Sequence, residues 1–234
     1  MLPLKDDQPR YSTPYVNWFL IVLNILIYFF QTTLDRRSSE VLAMQFGEVP
    51  AHLAAFLAGS HRYSLPQVVL PFFTSMFLHG SWAHVLLNMW GLYIFGDNVE
   101  DYLGHFKYLA FYLLSGLLAM STQVAFYPHS NIPTIGASGA IAGVMGAYFV
   151  LYPRARVLTW IFELLILVVW LPAWIILGYW FVLNLLSGTG MALAVHRQNM
   201  GGVAVWAHVG GFVAGAVMIK MFPERTQRSP YAYR

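Results

Sequence analysis

The sequence predicts an all-α, multi-pass membrane protein: a bundle of six transmembrane helices with a long membrane-associated first loop. Three observations predict it. Of 234 residues, 58% are hydrophobic and 10% charged, whereas soluble domains carry about 25% charged residues. The apolar residues gather into segments approaching the roughly 20 residues that a helix needs to cross about 30 Å of hydrocarbon. Tryptophan and tyrosine are frequent, at 8 and 14 copies, as suits side chains that anchor at headgroup depth.

The elements follow in order. The N-terminus is polar through Tyr11. The first apolar run, Val16 to Thr33, is too long for a signal-peptide core and lacks a convincing cleavage site, so it predicts a retained helix. Residues 34–81 form a long first loop whose stretches Leu53 to Leu57 and Val68 to Phe73 are apolar enough to lie at the interface. A second helix is expected from Trp82 to Gly96 and a third from Phe106 to Tyr127. A turn-rich stretch, 128–137, carries Pro128, Pro133 and Gly136. The fourth helix runs from Ser138 to Tyr152. Residues 156–169 are apolar and admit either a long helix or a hairpin against the membrane. The fifth helix spans Trp170 to Ser187 and the sixth Val203 to Phe222. The whole chain, 1–234, reads as one domain, with 1–15 and 223–234 as cytoplasmic tails.

Charge sets the orientation. With the N-terminus inside, the cytoplasmic side holds Lys5, Arg10, Lys107, Arg154, Arg156, Lys220, Arg225, Arg228 and Arg234, nine residues against the four outside, Arg36, Arg37, Arg62 and Arg197. Both termini are therefore expected in the cytoplasm. The basic residues are scattered rather than striped, which argues against nucleic acid as a partner. The chain has no cysteine, so disulfides, thiolate metal sites and cysteine nucleophiles are excluded.

On this topology the second, fourth and sixth helices all start at one depth. The unusual polar residues sit at those starts: His79, His84 and Asn88 at the second, Ser138 at the fourth, His208 at the sixth. The fourth helix, at about 1.5 Å per residue, falls short of the bilayer. Loop 128–137 must then dip inward, where non-helical backbone survives only against protein or a water-filled cavity. A wet cavity open to the outside, with Ser138 at its floor, is the expectation.

These residue types suit acyl transfer. A serine hydroxyl needs a base to act as a nucleophile. Gly136-Ala137-Ser138-Gly139 puts Ser138 at a helix N-terminus, where free backbone N–H groups and the helix dipole favour an oxyanion; the same serine could simply be a cap. His208 lies in a spanning helix, where ionisable residues are costly and usually functional, although it could equally be a structural histidine. Gly211 and Gly215, facing Gly139, Gly143 and Gly146, permit close helix packing that would bring His208 near Ser138. His84 and Asn88 share one helix face and could donate to an oxyanion, or clamp two helices. His79, beside Gly80, is expected to hold the first loop to the second helix. No acidic residue joins the histidine at this depth, since Glu163 lies near the inner side. A zinc site from His79, His84 and His208 is disfavoured, because no carboxylate or cysteine accompanies them.

With these motifs in order, the chain resembles the rhomboid intramembrane serine proteases over about Thr74 to Gly215. The resemblance rests on His79-Gly80-Ser81-Trp82-Ala83-His84 followed by Asn88, on Gly136-Ala137-Ser138-Gly139, and on Ala207-His208 with Gly211 and Gly215. It implies Ser138 as nucleophile, His208 as general base, and an oxyanion hole from His84, Asn88 and the Ser138 N–H. It implies transmembrane segments of other proteins as substrates, no cofactor or metal, and the simple prokaryotic form in a cytoplasmic membrane. Two positions depart from the family pattern. Where many members carry Trp-Arg in the first loop, this chain has His61-Arg62. Where some bacterial members place an aromatic residue four after the nucleophile, against the histidine, it has Ala142, so support for His208 must come from elsewhere. The alternatives are a catalytically silent relative that binds membrane helices, and a transporter. Such silent relatives typically lack the serine or the histidine, and a transporter would need polar residues across the whole bilayer.

Overall fold

A computed structural model describes residues 1–161, 167–193 and 204–225. Expectations that fall on Glu163, Arg197, Arg228 and Arg234 lie outside these residues. The element order is β1 (Leu2–Asp6), α1 (Tyr15–Thr32), α2 (Arg36–Phe46), α3 (Pro50–Leu57), α4 (Leu65–Val69), α5 (Pro71–Thr74), α6 (Trp82–Leu103), α7 (His105–Phe126), α8 (Ser138–Leu151), β2 (Arg156–Ile161), β3 (Leu167–Pro172), α9 (Ala173–Leu193) and α10 (Val205–Met218). The described chain is mostly helical. Three helices are long and apolar enough to cross a membrane, Tyr15–Thr32, His105–Phe126 and Ala173–Gly190. Ser138–Leu151 and Val205–Met221 are shorter apolar helices.

The expectation of an all-α chain needs correction. β1, β2 and β3 form one antiparallel sheet in the order β1-β2-β3. Leu2 pairs with Trp160 and Asp6 with Val157, while Arg156 pairs with Pro172 and Ile161 with Leu167. The described parts of the ambiguous 156–169 stretch are thus paired antiparallel strands, and the polar N-terminus supplies the third strand. The composition agrees: Val157, Thr159, Trp160, Val168, Val169 and Trp170 are β-branched or aromatic.

The second helix also runs seven residues past the expected Gly96. Its extension carries Asp97, Glu100 and Asp101, which the N-terminal segment covers. Glu100 is fully buried and its carboxylate accepts from the backbone N–H groups of Val16 and Asn17 at 3.0 and 2.7 Å. It therefore caps α1, whose own N-cap position is Pro14 with no side-chain cap. Asp101 accepts from the Tyr11 N–H and from the Ser12 hydroxyl. Buried Asn17 ties three helices: its amide donates to the Leu92 carbonyl at 3.1 Å, and its oxygen accepts from the Tyr108 hydroxyl at 2.7 Å. The core between α6, α7 and α8 is aromatic, with Phe95, Tyr108, Phe111, Tyr112 and Tyr148 all buried.

α8 and α10 approach most closely. A methyl group at Gly215 would sit 1.9 Å from the Gly143 carbonyl oxygen, and one at Gly211 would sit 2.1 Å from the Gly139 oxygen. Only glycine permits this separation. α7 covers the same pair, with Ala119 against Gly139 and Ser115 against Gly143.

Candidate active site

Ser138, His208, His84 and Asn88 line a single cavity of about 780 Å³. They arrive from the starts of α8, α10 and α6. The three helix starts that share a depth in the sequence therefore share a chamber. Gln123 and Tyr127 at the end of α7, and Ser130 and Thr134 from loop 128–137, line it as well.

The loop is stitched down from outside the chamber. Glu48 and Thr134 exchange backbone hydrogen bonds at 3.0 and 2.7 Å, and the Ala51 N–H donates to the Ser130 carbonyl at 3.0 Å. The Gly136 N–H donates to the Ser75 carbonyl at 2.8 Å. Gly136 itself has φ +130°, a conformation that side chains rarely adopt. A methyl group there would fall 2.8 Å from His84 Nε2 and 3.7 Å from Ser138 Oγ. The His84 ring and the serine hydroxyl thus flank the same glycine. Ser138 is half-buried at the first position of α8, with Ala137 before it and no side-chain cap on that helix. Its hydroxyl is not spent on capping its own helix.

The histidine-rich turn before α6 is ordered by polar contacts. Ser81 caps α6, accepting from the His84 N–H at 3.1 Å. The Gly80 N–H points at His84 Nδ1 at 3.5 Å, which favours the hydrogen on Nε2, the nitrogen beside Gly136. His79 is buried. Its backbone is clamped by the Gln31 amide of α1, which accepts from its N–H at 3.0 Å and donates to its carbonyl at 3.1 Å. Its Nε2 lies 3.0 Å from Asn88 Nδ2. His79 thus joins α1, the first loop and α6. One amide N–H of Asn88 is engaged by His79, and the other is available to the cavity.

His208 is 9% exposed, in the first turn of α10. The aromatic partner missing at Ala142 has a substitute on α9. The Trp180 ring centroid lies 5.5 Å from that of His208, tilted by 36°. Asn184 Oδ1 lies 2.8 Å from His208 Nδ1. Sequence reading misses both residues as partners of His208, because they sit in an apolar run without a motif. A lone asparagine in a spanning helix was the available signal. It also misses Met1, Leu2 and Pro3, which line the same cavity. There the Trp90 indole N–H donates to the Pro3 carbonyl at 2.7 Å. Gly139, Gly211 and Gly215 set the spacing of the two helices that carry Ser138 and His208. At the first-loop departure, Arg62 packs over the Tyr63 ring, which stacks on His52.

A hydroxyl at a helix N-terminus, an imidazole with one nitrogen held by an amide, and ring and amide donors around one chamber have the components for nucleophilic acyl transfer. Comparisons with known proteins point the same way. Residues 66–225 match the family described as Rhomboid domain. The chain is 31% identical to "Rhomboid protease AarA" of Providencia stuartii over 141 residues, which cover 55% of this chain and 47% of that one. It is 27% identical to "Rhomboid protease GluP" of Bacillus subtilis over 227 residues, 93% of this chain and 39% of that one. It is 33% identical to "Rhomboid protein 1, mitochondrial" of Saccharomyces cerevisiae over 93 residues, 38% and 27% of the two. The chain thus spans less than half the length of each of these relatives.

Proposed function

From the premise that this chain belongs to the rhomboid family, we propose that it is an intramembrane serine endopeptidase working through a Ser138–His208 dyad. The observation that carries this reading is the shared chamber: Ser138, His208, His84 and Asn88, from three helix starts, line one cavity. Rhomboid relatives named as proteases support the class of reaction.

In the proposed reaction His208 takes the proton of Ser138 Oγ as that oxygen attacks the scissile carbonyl. Negative charge builds on the carbonyl oxygen. The His84 Nε2–H, the free Asn88 amide N–H and the Ser138 backbone N–H are the donors assigned to it. His208 then gives its proton to the leaving amine, and water, activated by the same imidazole, hydrolyses the acyl-serine. Substrates are transmembrane segments of other proteins, and no metal or cofactor takes part. His79, Gly136, Gly139, Gly211 and Gly215 support the site without touching the reacting atoms.

The same reading makes the chain one membrane domain with six spans: α1, α6, α7, α8, α9 and α10. The short helices α2 to α5 form a membrane-associated first loop. Both termini are cytoplasmic, in a prokaryotic cytoplasmic membrane. Relatives named mitochondrial and chloroplastic make fractionation of the host cell the direct check on compartment.

The purified protein in liposomes is expected to cleave a model membrane-spanning substrate. Ser138→Ala and His208→Ala should each abolish cleavage while helical circular dichroism persists. A fluorophosphonate should label Ser138. Turnover by Ser138→Ala at the normal rate would defeat the assignment. An intact fold that binds substrate helices without cutting them would favour a silent helix-binding relative instead.

A further inference from the structure

Asn184 stands beside the His208 imidazole. The two side chains meet across α9 and α10, with Asn184 Oδ1 2.8 Å from His208 Nδ1. The amide could in principle point either way, since its nitrogen and oxygen have nearly the same shape. A second hydrogen bond removes that freedom. Asn184 Nδ2 lies 2.8 Å from the Trp180 carbonyl oxygen, one turn earlier on α9. A carbonyl only accepts, so the amide nitrogen must face it and the amide oxygen must face the imidazole. An amide oxygen also only accepts. His208 Nδ1 must therefore be the donor, and in the neutral ring Nε2 is left with its lone pair. That is the form a general base requires.

We infer that Asn184 is a positioning residue for His208, fixing its tautomer and ring orientation so that Nε2 is the basic nitrogen. Its catalytic meaning rests on the protease reading above. Trp180 adds the second restraint. Its ring lies 5.5 Å from the imidazole, so α9 supplies both the stop for the ring and the acceptor for Nδ1. α8 supplies neither, because Ala142 stands where an aromatic stop would be. His208 is thus held by a helix that carries neither proposed catalytic group. Displacing α9 from α10 would release the ring and free the tautomer in one step. A plain interhelical clamp would also use this hydrogen bond, but it would not make the reactivity of the histidine depend on it.

The test uses the full chain in detergent micelles, with ¹⁵N-labelled histidine. The His208 signals, assigned by their loss in His208→Gln, should show Nδ1 protonated and Nε2 unprotonated. In Asn184→Leu the two tautomers should mix. In the cleavage assay Asn184→Leu should lower kcat on the order of 10- to 100-fold with KM little changed. Asn184→Asp keeps an acceptor of the same size. It should retain much of the activity and move the acidic limb of the kcat/KM profile to higher pH, because a carboxylate favours the imidazolium. An unchanged tautomer in Asn184→Leu overturns the inference, and so does an unmoved acidic limb in a folded, active Asn184→Asp. A native chain that neither cleaves nor labels at Ser138 overturns the protease reading instead, and the tautomer measurement then still decides the assignment of Asn184.

Discussion

At the scale of single residues, the site depends on what is missing as much as on what is present. Gly136 has φ +130° and no room for a side chain, because a methyl group would fall 2.8 Å from both Cε1 and Nε2 of His84. Alanine would therefore strain the backbone, at about 1–3 kcal/mol, and would push His84 away from the serine. Gly136→Ala should retain its helical content and lose most of its fluorophosphonate labelling at Ser138. Labelling at the native rate would show that neither the glycine conformation nor the His84 position matters to the nucleophile. This residue was legible in the sequence, since Gly136-Ala137-Ser138-Gly139 stands out before an apolar run. Asn184 was not. It lies among Phe181, Val182, Leu183, Leu185 and Leu186, and its partner His208 is 24 residues away in the chain. Only packing reveals that the two meet.

At the scale of elements, the helix starts and ends were mostly legible, because apolar run length reports them directly. Two stretches were not, for definite reasons. Asp97, Glu100 and Asp101 look like the end of a spanning helix, yet α6 continues through them. Their partners, the backbone at Tyr11, Val16 and Asn17 and the side chain of Arg10, come from the N-terminal segment. The strands at 156–161 and 167–172 are short apolar runs, which periodicity alone cannot distinguish from helix. The glycine faces of α8 and α10 were readable as spacing, and the structure adds their tightness. A larger residue at Gly215 must drive α10 off Gly143, whose oxygen would lie 1.9 Å from the new carbon. Gly215→Val should destabilise the protein by about 3 kcal/mol or more, seen as a lower thermal midpoint in detergent. Gly190→Ala meets nothing within 4 Å and should leave the midpoint almost unchanged. Equal midpoints for the two variants would mean that the α8–α10 contact does not hold the bundle.

At the scale of the whole molecule, the N-terminal segment fastens the end of the bundle that carries the hairpin. β1 adds to the hairpin, Pro3 accepts from Trp90, and the Asp7 carboxylate accepts from the Arg156 side chain at 2.9 Å. Asp6 is the sensitive point of this fastening. Burial pushes its carboxyl up to about 7, with Asp97 and Asp7 adding repulsion and the Tyr148 hydroxyl opposing them through its hydrogen bond. The ordinary value, which the unfolded chain keeps, is about 3.9. A raised folded value means that the native state holds the proton better than the unfolded state does. The stabilisation is full below about pH 4 and is lost as pH rises through about 7. Glu48, also buried and pushed up to about 7, acts in the same direction. The native chain should therefore lose thermal stability between about pH 4 and 8, most of it below pH 7. Asp6→Asn, which keeps the shape and cannot ionise, should be more stable than the native chain at pH 8, by about 1–2 kcal/mol after discounting for the partial exposure of Asp6. Below about pH 4 the two should nearly coincide. The residual slope of Asp6→Asn should shrink further when Glu48→Gln is added. Melting curves of the three proteins across that range in one detergent decide the matter: parallel curves would mean that Asp6 ionises in the folded state without loosening β1 from the hairpin.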